Sequence, residues 1–67
     1  MTSKQKVLAK YPEADTLNQR MMGVTFYIVV VDPYKNRSVI GEAIRSASKA
    51  WTNARKNMDA GKEPYRL

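Results

Sequence analysis

Residues 24–31 form a continuous run of strand-forming side chains, Val-Thr-Phe-Tyr-Ile-Val-Val-Val. β-Branched and aromatic side chains fit a pleated sheet and lose rotamer freedom in a helix, so this run predicts a buried β-strand. A membrane-spanning helix needs about 20 apolar residues, far more than this run supplies. We therefore expect a small sheet built around this strand, and no contact with a membrane.

The segment after this run predicts a turn and a return strand. Residues 32–37 include Asp32, Pro33 and Asn36, which favour turns. Residues 38–43 are again strand-like, and Gly41 is the candidate for a β-bulge. The sequence therefore predicts an antiparallel β-hairpin with a six-residue connection.

A short helix is predicted before the hairpin, over residues 3–11. Thr2 and Gln5 have the spacing of a capping box, in which a hydroxyl and an amide satisfy free backbone N–H groups at a helix start. Pro12 ends this helix, because a residue before proline is pushed out of the helical conformation. Residues 13–20 are polar and are expected to form a loop.

A second helix is predicted after the hairpin. Ser46 is its expected N-cap and Gly61 its C′ residue. Positions 47, 50, 51, 54 and 58 are apolar, which gives one continuous stripe for packing. Residues 62–67 are expected to be a mobile tail. The prediction over residues 1–67 is a single small α+β domain of order helix–strand–strand–helix, with an antiparallel hairpin packed on the helices.

Both faces of the long strand are apolar. Its even positions suit a core face against the helices, and Tyr27, Val29 and Val31 then form a second apolar face. A two-stranded sheet with one solvated face should alternate apolar and polar residues. The pattern predicts self-association as a homodimer through the sheet, by the Tyr27, Val29 and Val31 face or by a strand edge. The alternative is that residues 13–22 fold over that face.

Composition excludes most catalytic chemistry. The chain has no cysteine and no histidine, so it lacks a thiol nucleophile, the usual general base and the commonest metal ligands. Its six carboxylates are scattered, and three glycines cannot form a phosphate-binding loop. We expect no enzyme activity, no metal site, no cofactor and no small-molecule substrate. The N-terminal residues lack a signal-peptide core, so the cytoplasm is the expected location.

The net charge of +6 is concentrated on the second helix and its entry. The side chains opposite its apolar stripe are cations, hydroxyls and amides, which suit the phosphate backbone of nucleic acid. Two further cations in the hairpin turn could add a second contact. The candidate nucleic-acid-binding residues are Arg45, Ser48, Lys49, Thr52, Arg55 and Lys56 of the helix region, with Lys35 and Arg37 of the turn.

Two alternatives to nucleic-acid binding stay open. Positive charge also keeps a small protein soluble, without any specific ligand. The chain could instead be a protein-interaction module that docks on a protein complex by its sheet edge or its second sheet face.

Residues 41–54 resemble the last strand and last helix of double-stranded-RNA-binding domains. Ser48 and Lys49 match the residues at the helix start of that family, whose lysines contact phosphates, and Ala54 matches a small packing position. Ala50 stands where the family has a second lysine. The predicted hairpin also has one strand fewer than the sheet of that family. The resemblance implies phosphate contacts by Ser48 and Lys49.

The whole chain is similar to small accessory proteins of tailed bacteriophages. The similarity lies in Lys-Tyr-Pro-Glu-Ala at residues 10–14, Val-Ile-Gly at 39–41 and Ala-Trp-Thr-Asn-Ala at 50–54. It implies a phage or prophage origin, the host cytoplasm as location, and binding to nucleic acid or to a host complex that processes nucleic acid or serves in defence.

Overall fold

The computed structural model describes residues 1–66 and shows two helices and a four-stranded antiparallel sheet. This confirms the predicted α+β class, although the sheet has two strands more than the predicted hairpin. The strands lie in the order β1-β2-β3-β4, so sequence neighbours are also spatial neighbours. The elements are α1 (Ser3–Lys10), β1 (Asp15–Met21), β2 (Val24–Val30), β3 (Ser38–Val39), α2 (Ala47–Asp59) and β4 (Tyr65–Arg66).

Both helices begin and end as the sequence predicts. Thr2 and Gln5 form the capping box of α1, each side chain bonding the backbone N–H of the other residue. At the end of α2 the N–H groups of Gly61 and Lys62 donate to the carbonyls of Met58 and Asn57. This is the Schellman pattern, and Gly61 has the positive φ of 79° that it requires.

Residues 15–21 form strand β1, and the prediction of a loop over residues 13–20 is wrong for this part. The strand pairs along its whole length with β2, from Asp15 opposite Val30 to Met21 opposite Val24. Met22 and Gly23 form the two-residue turn between them, both with positive φ. Two central residues of positive φ define a type I′ turn, whose twist matches that of the flanking strands.

The return strand is shorter than predicted and is interrupted at Gly41. β3 pairs Val39 with Val30, and Ile44 then pairs with Tyr27 through two backbone hydrogen bonds of 2.7 and 2.8 Å. Five residue steps from Val39 to Ile44 therefore face three steps on β2. The extra residues form a bulge around Gly41, whose φ is 121°.

The core lies between the helices and one face of the sheet, and it uses the odd positions of β2 together with Val31, the residue after the strand. Val29 and Val31 are buried in the same cluster as Ile40 and Trp51, and Tyr27 packs against it. The prediction that Tyr27, Val29 and Val31 form an exposed self-association face is therefore wrong. Both faces of β2 are apolar, so the sequence pattern could not decide which face the helices cover.

The even positions of β2 lie on the opposite, helix-free face of the sheet. Strand pairing places Leu17 and Met21 of β1 and Tyr65 of β4 on this same face. These three side chains are each about half exposed. We call this surface the helix-free face; its apolar residues are Leu17, Met21, Val24, Phe26, Ile28, Val30, Val39 and Tyr65.

The predicted mobile tail over residues 62–67 is wrong for Tyr65 and Arg66. They pair with Val39 and Ser38, and the Tyr65 hydroxyl donates to the Gly41 carbonyl at 3.0 Å. The last residue, Leu67, lies outside the described residues. Within residues 1–66, no helix combines the length and the apolar character needed to cross a membrane.

Candidate nucleic-acid interface

The first half of α2 presents polar and cationic side chains away from the core. Ala50, Trp51 and Ala54 are buried against the sheet and α1. Helical geometry then turns Lys49 and Ser48 outward, and both are exposed. This stretch of α2 therefore offers hydrogen-bond donors and a positive charge on one side.

Hydroxyl groups at the start of α2 are held by local hydrogen bonds. Ser46 is the N-cap residue, but its side chain makes no capping hydrogen bond. Its hydroxyl lies 3.1 Å from that of Ser48, and the Thr52 hydroxyl donates to the Ser48 carbonyl at 3.1 Å. Arg45 precedes these residues and is exposed. Cations and oriented hydroxyls thus share the helix start.

Helix α1 adds a cation and two hydroxyl residues to this surface. The ammonium group of Lys4 lies 5.6 Å from the centroid of the Trp51 ring, which is cation–π distance. An open cavity of about 360 Å³ lies between the two helices at this point. We call it the interhelical groove; its lining residues are Thr2, Ser3, Lys4, Ser48, Trp51 and Thr52.

Arg55 lies further along α2 and is engaged with protein partners. Its Nε donates to the Ser3 hydroxyl at 3.0 Å, and its NH1 forms an ion pair with the Asp59 carboxylate at 3.0 Å. Lys56, the next residue, is exposed. Both residues were predicted to contact nucleic acid. Arg55 instead has a structural role that the sequence did not reveal, whereas the Lys56 side chain is free for a ligand.

Positive charge near the groove is not neutralised by the protein itself. The Arg55–Asp59 pair is the single salt bridge among residues 1–66. Lys4, Arg45 and Lys49 therefore have no carboxylate partner within this part of the chain. Cations without internal partners are the ones that can release counterions when they meet a phosphate backbone.

The two turn cations lie away from this surface. Lys35 and Arg37 belong to the connection between β2 and β3, at the opposite end of β2 from the Met22 turn. Arg37 lines a cavity with Leu17 and Val30, which belong to the helix-free face. Arg45, Ser48, Lys49 and Thr52 thus belong to α2 and its entry, whereas Lys35 and Arg37 belong to a different segment of the chain.

Thr2, Ser3 and Lys4 also belong to this surface, although no sequence pattern indicated it. Their residue types gave no signal beyond a basic, capped first helix. What places them here is the packing of α1 against α2, which brings Ser3 to Arg55 across 52 positions of sequence. Local patterns carry no information on such a long-range contact.

The chemistry available at the interhelical groove is binding by charge and hydrogen bonds. Its lining residues offer four hydroxyls, an ammonium group and an indole ring that is mostly buried. Ammonium and hydroxyl groups are donors to phosphate oxygens, and Arg45 and Lys49 extend the positive charge beyond the groove. Over residues 1–66, no group of three or more acidic side chains is placed to hold a metal ion.

Comparison of the chain with protein-family models, with curated proteins and with solved structures finds no match.

Proposed function

We propose that this chain is a small non-enzymatic protein that binds the phosphate backbone of nucleic acid. The proposed contact surface joins the start of α2 to the start of α1. The observation that carries the proposal is a hydroxyl-lined groove that includes Lys4 of α1 and Ser48 of α2. Lys4 and Lys49, the residue after Ser48, both lack a carboxylate partner among residues 1–66. We call the proposed contact surface the basic helical surface; its residues are Lys4, Arg45, Ser48, Lys49, Thr52 and Lys56.

The composition of this surface favours a polyanion over a single small anion. Its cations are spread along two helices instead of converging on one point, and Lys56 lies two turns of α2 beyond Lys49. Repeated phosphates along a strand match such a distribution, and each contact adds to the salt dependence of binding. Contacts to the backbone position a protein without selecting a base sequence.

The element order favours duplex RNA as the first probe. β1 supplies the strand that the predicted hairpin lacked relative to double-stranded-RNA-binding domains, so three strands now lie between α1 and α2. Ser48 and Lys49, the residues that matched the helix start of that family, are exposed. Ala50 still departs from the pattern and is buried in the core.

The test is binding to fluorescently labelled duplex RNA, duplex DNA and single-stranded RNA of equal length, followed by anisotropy. We expect affinity to fall steeply as salt rises from about 50 to 200 mM, as for a surface that contacts several phosphates. The double variant Arg45→Glu with Lys49→Glu should lose at least about tenfold in affinity at low salt. Absence of binding to every probe at low salt would overturn the proposal.

A matched double variant separates this surface from net charge alone. Lys35→Glu with Lys62→Glu makes the same charge change at exposed positions outside the basic helical surface. We expect it to retain most of the affinity. Equal losses in the two double variants would mean that binding follows total charge and has no defined surface.

A protein partner is the second candidate, and the exposed edge of the sheet favours it. β1 is an edge strand of seven residues and most of it is exposed. Such an edge can pair with a strand from another protein. The version of this hypothesis that used Tyr27, Val29 and Val31 is excluded, because these side chains pack in the core. A pull-down from host lysate with and without nuclease distinguishes a protein partner from one bridged by nucleic acid.

A further inference from the structure

The helix-free face is an apolar surface that the protein's own helices leave uncovered. Leu17 is 51% exposed, Met21 48% and Tyr65 51%. Val24, Phe26 and Ile28 lie between them and are only partly buried. Gln19, opposite Phe26, is the polar side chain between Leu17 and Met21 on this face. Apolar side chains grouped on one face, unlike singly scattered ones, mark interaction surfaces. This face is therefore a candidate interface.

One end of the helix-free face is hollow. A cavity of about 530 Å³ lies there, lined by Leu17, Val30 and Val39 together with Asn36, Arg37 and Arg66. Val30 and Val39 are almost fully buried, so Leu17, which is half exposed, is the apolar lining side chain that an incoming group can contact. The two arginines belong to the rim at the end of the sheet. An apolar side chain that enters this hollow would contact Leu17, while the exposed side chains of Asn36, Arg37 and Arg66 can stay hydrated at its rim.

The other end of the helix-free face carries a projecting apolar side chain. Met22, in the turn between β1 and β2, is fully exposed. Its φ of 51° is one that asparagine, aspartate or glycine tolerates better than methionine. Neither the burial of Met22 nor the turn explains why methionine is present here. A contact made with another molecule would explain it.

The projection and the hollow are separated by the length of β2. Six residue steps from Val24 to Val30 correspond to roughly 20 Å. A two-fold axis that lies in the interface and runs perpendicular to the strands would pack two such faces together. The Met22 end of each copy would then lie over the hollow end of the other. We propose that a second copy of this chain packs on the helix-free face, with Met22 of each copy in the hollow of the other.

The distribution of charge agrees with this arrangement of ends. Arg37 and Arg66 line the hollow end, whereas Met21 and Met22 form the other end. Arg20 also lies near that end, but it pairs with Thr25 and so points to the helix-covered side of the sheet. When the hollow end of one copy lies against the Met22 end of the other, Arg37 and Arg66 of the two copies are far apart. If the two hollow ends lay against each other, these four arginines would be close together. The basic helical surface lies on the other side of the sheet and stays exposed in both copies. The inference therefore stands independently of the proposed nucleic-acid binding.

Sedimentation velocity of the nuclease-treated protein, over concentrations of about 1 to 500 µM, tests the self-association. We expect a monomer–dimer equilibrium in the wild-type protein. Leu17→Arg should weaken it by at least about tenfold, because it places a charge in an apolar interface. Asn18→Arg is the matched control, since the next residue along a strand points to the opposite face. A protein that is monomeric throughout this range would overturn the proposal.

A second variant distinguishes a weaker dimer from a destabilised fold. Met22→Asn should raise the melting temperature of the dilute monomer, because asparagine suits the turn, and should also weaken the dimer. A merely destabilised fold cannot produce that combination. Unchanged dimerisation in both Leu17→Arg and Met22→Asn would point to pairing through the β1 edge and overturn packing through this face.

The position of the turn in the partner can be measured directly. The chain has no cysteine, so Met22→Cys provides a single site for a nitroxide label. In a mixture of labelled protein with ¹⁵N-labelled wild-type protein, broadening reports only contacts between copies. We expect it at the amides of Val30, Arg37 and Val39. Broadening confined to α2, or to the β1 edge, would contradict the proposed arrangement.

Discussion

Arg55 of α2 donates from Nε to the hydroxyl of Ser3 in α1 at 3.0 Å, although 52 positions of sequence separate the two residues. The same guanidinium group forms an ion pair with Asp59 one turn further along α2. Arg55 thus ties the two helices together at the base of the basic helical surface. The sequence suggests that Arg55 contacts phosphate, but in the structure its side chain links α1 to α2.

Replacing Arg55 with glutamine should lower stability more than replacing Lys56 with glutamine. Arg55→Gln removes both the Ser3 hydrogen bond and the Asp59 ion pair, which together are worth about 1 kcal/mol at a partly exposed site. Lys56→Gln removes the same charge from an exposed side chain and should stay within about 0.5 kcal/mol of wild type. Urea unfolding followed by circular dichroism measures both. Equal losses would show that the Arg55 contacts contribute nothing.

Gly41→Ala should be strongly destabilising, and more so than Gly23→Ala. The added Cβ at Gly41 would lie 2.5 Å from Oδ1 of Asn53, the atom that accepts a hydrogen bond from the Glu42 N–H. The unfavourable φ and the lost hydrogen bond should together cost about 2 kcal/mol or more. Gly23 also has positive φ but has open space around it, so its loss should be about 1 kcal/mol. Thermal melts of the two variants provide the comparison.

Ile40→Val and Ile28→Val test which face of the sheet the helices cover. Ile40 is 1% exposed and belongs to the core cluster, so the smaller side chain should cost about 1 kcal/mol. Ile28 lies on the helix-free face and is only partly buried, so the same change should cost clearly less in dilute solution. A larger loss at Ile28 would mean that the faces are assigned the wrong way round.

Those parts of the fold that depend on neighbouring residues were predictable from the sequence. The Thr2 and Gln5 capping box, the Gly61 helix end and the hairpin connection all follow from residues a few positions apart. Strand β1 was missed because its sequence is mostly polar and forms a strand by pairing with β2. Its edge position lets polar side chains remain in water.

The candidate site was predictable on α2 but not across the two helices. The apolar stripe of α2 indicates which side faces outward, so Lys49 and Ser48 could be assigned to the surface. Lys4 belongs to the same surface because α1 packs beside Trp51 of α2. The hydrogen bond from Arg55 to Ser3 depends on the same packing of the two helices. Likewise, the position of the helices, and not the β2 sequence, decides that Val29 is buried in the core.

Two-dimensional ¹H–¹⁵N NMR of the protein, titrated with a short RNA duplex at low salt, tests the proposed function most directly. We predict progressive shifts at the amides of Lys4, Arg45, Ser48, Lys49 and Thr52, which higher salt reverses. Amides of the helix-free face, such as Leu17 and Ile28, should move little. Shifts centred on the helix-free face, or no shifts at any ratio of duplex to protein, would contradict the account.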